Sequence, residues 1–350
     1  MTSSIEFTPL ATSEPLDSEP NIEPITTRRA KLDLFSIQID RLTDAAVNGL
    51  GPVLLTVASL LLSTTIFCYF NVFLPFHFAW KEGEGLFGNL GYILNFIWAC
   101  YLVWGIIANY YFAVRTPPGG VLDGVTGSGD VMFQEVLREM ETYTVSPQIC
   151  KRCNLPKPER THHCSVCKRC VLKYDHHCPW IHNCVGHFNH RFFLMFLTYL
   201  TIACVYFVIM GVRPFLQAAD TESENNWPYF LDRTVVTFSE VLAVAIGAAV
   251  GGMAGWHWYL TLTAQTTLEQ YNNSYIKKVC KTRGDTYANM YDFGVVGNFQ
   301  DLFNVGPRGH YPWYTALLPL RIPPIGTGKR YERSGRGFVL DFGDDDEDMV

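Results

Sequence analysis

The sequence predicts an all-α polytopic membrane protein, with four transmembrane helices and a small cysteine-rich cytosolic domain between helices 2 and 3. Three observations predict it. Long stretches of the 350-residue chain carry no charge, the basic residues are segregated between those stretches, and seven of the eleven cysteines crowd into 150–184. Only 17% of residues are charged, low for a soluble protein of this size. No charged residue occurs from Ala45 to Trp80 or from Gly85 to Val114, and further apolar runs cover Phe192 to Val212 and Val241 to Gln265. Each reaches the roughly 20 residues needed to cross a hydrocarbon core. Core helices of a soluble enzyme seldom run past about 20 residues without a charge, which argues against that reading.

The basic residues set the orientation. Of 27 Lys and Arg, four precede the first run, ten lie between Arg115 and Arg191, and ten follow the fourth run. By the positive-inside rule, both termini and the 115–191 segment are expected to face the cytosol. The Asn272-Asn273-Ser274 sequon then lies on the wrong side for glycosylation. No apolar run occurs in the first 44 residues, so the first span is expected to act as its own targeting signal.

The flanking segments read differently. Residues 1 to about 30 are rich in Ser, Thr, Pro and Glu and are expected to be disordered, as is the tail beyond Gly326, which ends in the acidic run GDDDEDMV and reads as solvated. Tyr311 to Leu320 is apolar but too short to span, so it is expected to pack on the membrane surface or on the bundle.

The cysteines of 150–184 lie in a segment assigned to the reducing cytosol, where metal binding or catalysis is the expected use. Cys150/Cys153 and Cys164/Cys167 form two Cys-x-x-Cys pairs, each able to chelate one zinc ion. Structural zinc takes four ligands, so two sites need eight. If each pair takes one His and one further Cys, six cysteines are used and one is spare. Cys178 is the natural candidate, because it follows Asp175, His176 and His177 directly. One of the adjacent histidines can serve zinc while the other takes the thiol's proton, with a carboxylate fixing its tautomer. The thiolate is then a nucleophile.

The order Cys150-x2-Cys153, Pro158-x-Arg160, His163-Cys164-x2-Cys167, Cys170, Asp175-His176-His177-Cys178-Pro179-Trp180, Asn183-Cys184-x-Gly186 and Asn189 resembles the cysteine-rich domain of the DHHC-type protein S-acyltransferases, or palmitoyltransferases. Thr266-Thr267-Leu268-Glu269 resembles the family's Thr-Thr-x-Glu element, and Asn289 to Gly294 its C-terminal aromatic and Asn element. Together these cover about residues 45 to 305. The chain departs from the family's pattern at Thr116, where Asp is common, at His182, where Asn is usual, and at Met290, where Pro is common.

The resemblance implies one zinc ion on Cys150, Cys153, His163 and Cys170, and a second on Cys164, Cys167, His177 and Cys184. It makes Cys178 the acylated nucleophile, His176 its base and Asp175 the group that orients His176. Thr267 is expected to hydrogen-bond near Asp175, and Asn289 to brace the C-terminal segment. The plan it implies is a cytosolic, largely disordered segment 1–44, helices 1 and 2 in 45–114, and a cysteine-rich domain in 115–191 with its core at 148–191. Helices 3 and 4 follow in 192–265, then a cytosolic C-terminal domain in 266–325 and an acidic tail in 326–350.

The expected activity is transfer of a long-chain acyl group, palmitoyl, from acyl-CoA through Cys178 to cysteines of substrate proteins. Lys157 and Arg160 are candidate partners of the CoA phosphates, and Trp180, Phe193 and Phe196 candidates to line an acyl cavity. Acyl-CoA, substrate proteins with accessible cysteines and the lipid bilayer are the expected partners, and nucleic acid is not. Family analogy points to an endomembrane, endoplasmic reticulum or Golgi. The main alternative is a non-enzymatic adaptor that uses the zinc module to bind partners. A RING-like ubiquitin ligase also uses eight Cys/His ligands but has no use for a spare Cys178.

Overall fold

The computed structural model describes residues 25–83, 85–124, 134, 136, 148–220 and 227–335. The chain divides after Ala46 into two units, and the described part of the first is helical. Six helices matter here: α1 (Ile25–Cys68), α2 (Leu90–Arg115), α3 (His190–Ala219), α4 (Arg233–Leu262), α5 (Thr267–Arg283) and α6 (Gly294–Phe303). Four candidate spans cover Leu42–His77, Leu90–Arg115, His190–Ala219 and Arg233–Leu262. Helix is the form these runs must take, because hydrocarbon offers no partner to an exposed backbone N–H or C=O. The first span continues past α1 through one π-helical turn, Tyr69–Phe73, into Leu74–His77.

The third helix is the spine. Over half of its apolar window is buried (56%), against 11% to 22% for the other three. Small residues let neighbours approach it, as expected where lipid supplies no hydrophobic drive between helices. A Cβ on Gly105 of α2 would lie 2.5 Å from the Tyr199 ring, and one on Gly247 of α4 would lie 2.9 Å from Cys204.

Between α2 and α3 stand two antiparallel hairpins, β1 (His162–Cys164) with β2 (Arg169–Val171) and β3 (His176–Cys178) with β4 (Asn183–Val185). They are fastened to the end of α2. Asn183 Nδ2 donates to the Thr116 carbonyl (3.0 Å), and the buried Asn189 donates to Cys184 O (2.8 Å) while accepting from Gly186 N–H (2.9 Å). Gly119 makes the turn after α2 with a φ of +104°, and a Cβ there would meet the Phe188 ring at 2.8 Å.

The C-terminal segment closes on the hairpins. α5 begins with a capping box, in which Glu269 accepts from Thr266 N–H (2.9 Å) and Thr266 Oγ1 accepts from Glu269 N–H (3.3 Å). The same carboxylate takes both arms of Arg160 at 2.6 Å each. Arg160 also donates to Ala264 O (3.0 Å) and lies over the rings of Tyr291 and Tyr331. Its side chain is 5% exposed, so this is a buried, bidentate pair joining the cysteine-rich domain to α5.

Three expectations are corrected. Helix begins at Ile25, inside the segment expected to be disordered, while residues 1–24 lie outside the described residues. The fourth helix runs Arg233–Leu262 rather than Val241 to Gln265, because Asp232 caps it by accepting from Thr234 N–H (2.8 Å), and its Arg233 start is tolerated at the interface. Residues 327–335 pack instead of dangling: Lys329 is buried, Tyr331 hydrogen-bonds His187 (3.1 Å), and Arg333 pairs with Glu159. The acidic run beyond residue 335 lies outside the described residues. Within Tyr311 to Leu320, Leu317 O accepts from the hydroxyls of Tyr101 and Tyr199, which seats the stretch on the bundle.

Replacing Arg160 by Leu strands the Glu269 carboxylate in a buried setting and is expected to cost about 3–5 kcal/mol of stability. Arg160→Lys should fall between, since an ammonium cannot reproduce the fork. Thermal unfolding of the detergent-solubilised protein measures both, and wild-type midpoints would refute the clamp.

Candidate active site

The hairpins gather two sets of four ligand atoms, each within 4.8 Å of one another: Cys150, Cys153, His163 and Cys170, and Cys164, Cys167, His177 and Cys184. Local geometry explains the gathering. Asn154 and Lys168, each directly after a Cys-x-x-Cys pair, take the left-handed conformation that closes the turn (φ 53° and 55°). The turn points Cys153 N–H at Cys150 Sγ (3.4 Å) and Cys167 N–H at Cys164 Sγ (3.3 Å). Strand register supplies the other two ligands, since His163 faces Cys170 and His177 faces Cys184.

The donor sets suit zinc. A tetrahedral ion with Zn–S of about 2.3 Å and Zn–N of about 2.0–2.1 Å spaces its ligand atoms roughly 3.4–3.8 Å apart. In the first set His163 Nδ1 lies 3.2, 3.7 and 4.0 Å from Cys153, Cys150 and Cys170 Sγ, scattered about that range, and Cys153 lies 3.7 Å from Cys170. In the second, His177 Nδ1 lies 3.8, 3.4 and 3.5 Å from Cys164, Cys167 and Cys184. Three sulfurs and one imidazole nitrogen at these separations match a closed structural site better than any thiol network.

Strand alternation then divides DHHC. Successive side chains of β3 leave opposite faces, so His177 turns to its ligand set while His176 and Cys178 share the other face. His176 Nδ1 meets Asp175 Oδ2 at 2.6 Å. Asp175 is 2% exposed and receives two more hydrogen bonds from the first turn of α5, Thr267 N–H to Oδ1 (2.8 Å) and Thr267 Oγ1–H to Oδ2 (3.0 Å). Burial would raise the Asp175 carboxyl, but the hydrogen bond and charge of His176 hold it well below the usual carboxylate range. Burial would lower His176, and its hydrogen bonds to Asp175 and Cys178 outweigh that and lift it to about 9.

Cys178 is 7% exposed and belongs to the same apolar cluster as Phe192, Phe193 and Leu197. It lines a cavity of about 360 Å³ whose walls come from α1, α2, α3 and α4 and are almost wholly apolar. Along α3 the lining runs from Phe193 to Phe207, fourteen residues or roughly 21 Å at the helical rise. Tyr206 belongs to the lining, its hydroxyl bonded to Asn95 and 3.0 Å from that of Tyr69.

The structure sorts the remaining sequence-predicted residues. Trp180, Phe193 and Phe196 line the cavity, with Trp180 half exposed. Asn289 Nδ2 donates to Thr263 O (2.9 Å), in the turn between α4 and α5. Arg160 is a correction: Nε and Nη2 are spent on Glu269 and Ala264, its guanidinium lies over two tyrosine rings and its side chain is buried, so it joins the domain to α5 rather than standing as an exposed phosphate ligand. Lys157 is half-buried on the same domain. His182 is in neither ligand set; it adopts φ 48° and packs against Gly51. Sequence reasoning missed Asn298, which ties Leu262 O (2.8 Å) to Asp292 (2.7 Å), and His257, buried in α4 with its Nδ1 3.9 Å from Asp175. An ionisable residue inside an apolar run was the signal that could have found His257.

Comparison with known proteins agrees with this geometry. The profile of the DHHC palmitoyltransferase family matches residues 144–274. The chain is 32% identical to palmitoyltransferase ZDHHC16A of Danio rerio over 284 residues, covering 67% of this chain and 69% of that protein. It is 35% identical to palmitoyltransferase ZDHHC16 of Mus musculus over 236 residues, 65% of this chain and 60% of that one. Similarity to ZDHHC16B of Danio rerio is 29% over 339 residues, covering 86% and 82%. With two four-ligand sets, an Asp-His-His-Cys strand and relatives of this kind, the chain belongs to the DHHC family of palmitoyltransferases.

Proposed function

We propose that the protein is a protein S-acyltransferase that moves a long-chain acyl group, palmitoyl by preference, from acyl-CoA to cysteines of substrate proteins at the cytosolic membrane face. The observation that carries the reading is a thiol, Cys178, that borders both the His176–Asp175 pair and an apolar cavity between the spans.

The steps follow from the parts. His176 Nε2 takes the Cys178 proton while Asp175 keeps hold of Nδ1–H. The thiolate attacks the acyl-CoA carbonyl, a thioester forms on Cys178, the carbon–sulfur bond to CoA breaks, and the departing CoA thiolate recovers the proton from His176. The acyl chain lies in the cavity. A substrate cysteine then gives its proton to His176 and attacks the Cys178 thioester, returning the enzyme thiol. Exchange between thioesters is nearly balanced in energy, so positioning and thiolate formation are what the site must supply. Lys157 is the remaining candidate for the CoA phosphates.

Zinc would sit on the two four-ligand sets, where it supplies cross-links that pin β3 without touching Cys178. Thr267 and Asn289 support Asp175 and the turn beside it. On this reading both termini lie in the cytosol, the spans Leu42–His77, Leu90–Arg115, His190–Ala219 and Arg233–Leu262 separate the cytosolic parts, and the compartment is an endomembrane. A non-enzymatic adaptor is not favoured, since it leaves the Asp175–His176–Cys178 constellation without a use.

Three measurements test this. Incubation with a clickable palmitoyl-CoA analogue should give a hydroxylamine-sensitive label on the wild type and none on Cys178→Ser; a label that persists refutes the nucleophile. Metal analysis should return two zinc ions per chain for both proteins, with Cys150→Ala or Cys164→Ala losing zinc and misfolding; a value near one breaks the ligand pairing. Among myristoyl-, palmitoyl- and stearoyl-CoA, Ala203→Phe should shift self-labelling toward shorter chains and Tyr206→Ala toward longer ones, because both residues line the cavity. An unchanged chain profile in both variants would place the acyl chain elsewhere.

A further inference from the structure

Among the described residues two buried imidazoles near the reactive pair, His190 and His257, are not used by the mechanism above, and of the two it is His257 that brings a nitrogen within 4 Å of Asp175. It comes from α4, is 4% exposed, and its Nδ1 has no hydrogen-bond partner. That nitrogen faces Asp175 Oδ2 across 3.9 Å. A carboxylate offers about four acceptor sites; among the described residues His176 and the Thr267 hydroxyl both reach Oδ2 while Thr267 N–H alone reaches Oδ1, so the open site is on Oδ1, next to the oxygen His257 faces.

Ring packing limits what His257 can do. Its centroid lies 5.5 Å from that of His176, and Phe193 of α3 stands edge-on to both, 5.2 Å from His176 and 5.1 Å from His257. The ring is therefore caged, with a nitrogen directed at the carboxylate rather than at lipid.

Resting on the acyl-transfer reading, we propose that His257 is a positioning residue: as the neutral Nδ1–H tautomer it turns its N–H to the Asp175 carboxylate, whose open acceptor site is on Oδ1, and braces the Asp175–His176 pair from the fourth span. With that donor in place the carboxylate cannot turn away from His176, and it stays an acceptor when His176 takes the Cys178 proton. The proton itself never passes to His257. Asp175 is then held from α5 by Thr267 and from α4 by His257, on opposite sides of the turn that joins those helices.

The test is single-turnover self-acylation of the full-length protein in detergent with palmitoyl-CoA, read as rate against concentration, with zinc content measured alongside. His257→Phe keeps the ring and removes the donor. It should slow acyl-enzyme formation on the order of tenfold to a hundredfold, with the half-saturating palmitoyl-CoA concentration and two zinc ions unchanged. His257→Asn, whose amide nitrogen falls where Nδ1 was, should recover most of the rate. A wild-type rate in His257→Phe overturns the inference, as does an Asn variant that holds two zinc ions and is as slow as the Phe one. Should the Phe variant not fold, His257→Gln, whose amide reaches the Nε2 position instead, is compared with His257→Asn, and equal rates overturn it. The Cys178→Ser control separates the two levels: label on that control removes the acyltransferase reading itself, whereas its absence with an indifferent His257 removes this inference alone.

Discussion

Two neighbouring side chains on a β-strand cannot point the same way. In β3 this constraint falls on His176, His177 and Cys178, and the rest of the cysteine-rich domain is arranged around it. His177 faces a cluster of thiols, while His176 and Cys178 face the spans. The ligand sets interlock through the same rule, since the adjacent His163 and Cys164 on β1 go to different sets. A three-residue strand is too short to hold itself. Paired hairpins hold it, with a four-ligand set on one face and His176 and Cys178 on the other.

The first turn of α5 completes the site by using groups a helix leaves unsatisfied. The first N–H donors of any helix lack internal partners, and here Thr267 N–H finds Asp175 while Thr266 N–H finds Glu269. The positive end of the helix dipole also faces the Asp175 carboxylate. Glu269 serves both as cap and as the partner of Arg160, so the helix cannot start without also locking to the cysteine-rich domain.

The spans and the ligand spacing were legible in the sequence because both are local signals. A run free of charge and a Cys-x-x-Cys pair are read within a few residues. Resemblance to a family then supplied what spacing left open, such as which histidine goes to which ligand set. What stayed hidden depends on distant partners. Arg160 looked like a phosphate ligand because Glu269 is 109 residues away and its own neighbours are charged. Residues 327–335 looked like tail because Gly, Lys and Arg give no periodicity, although Lys329 is buried and donates to Asp123 O, and Tyr331 bonds His187. His257 vanished into an apolar run, where only the fold reveals which side of α4 meets Asp175.

The distances in sequence also order events in time. Asp175 meets Thr267 after 92 further residues, and Arg160 meets Tyr331 only near the end of the described chain. At about 5–20 residues per second, Thr267 is made several seconds after Asp175, and only once both later spans have been synthesised. A nascent chain can therefore display Cys178 on a finished hairpin while its His176–Asp175 pair still lacks its brace. On the proposed acyl-transfer reading, reactivity arrives last, and a ribosome-bound intermediate carries a thiol that is shaped but not yet armed.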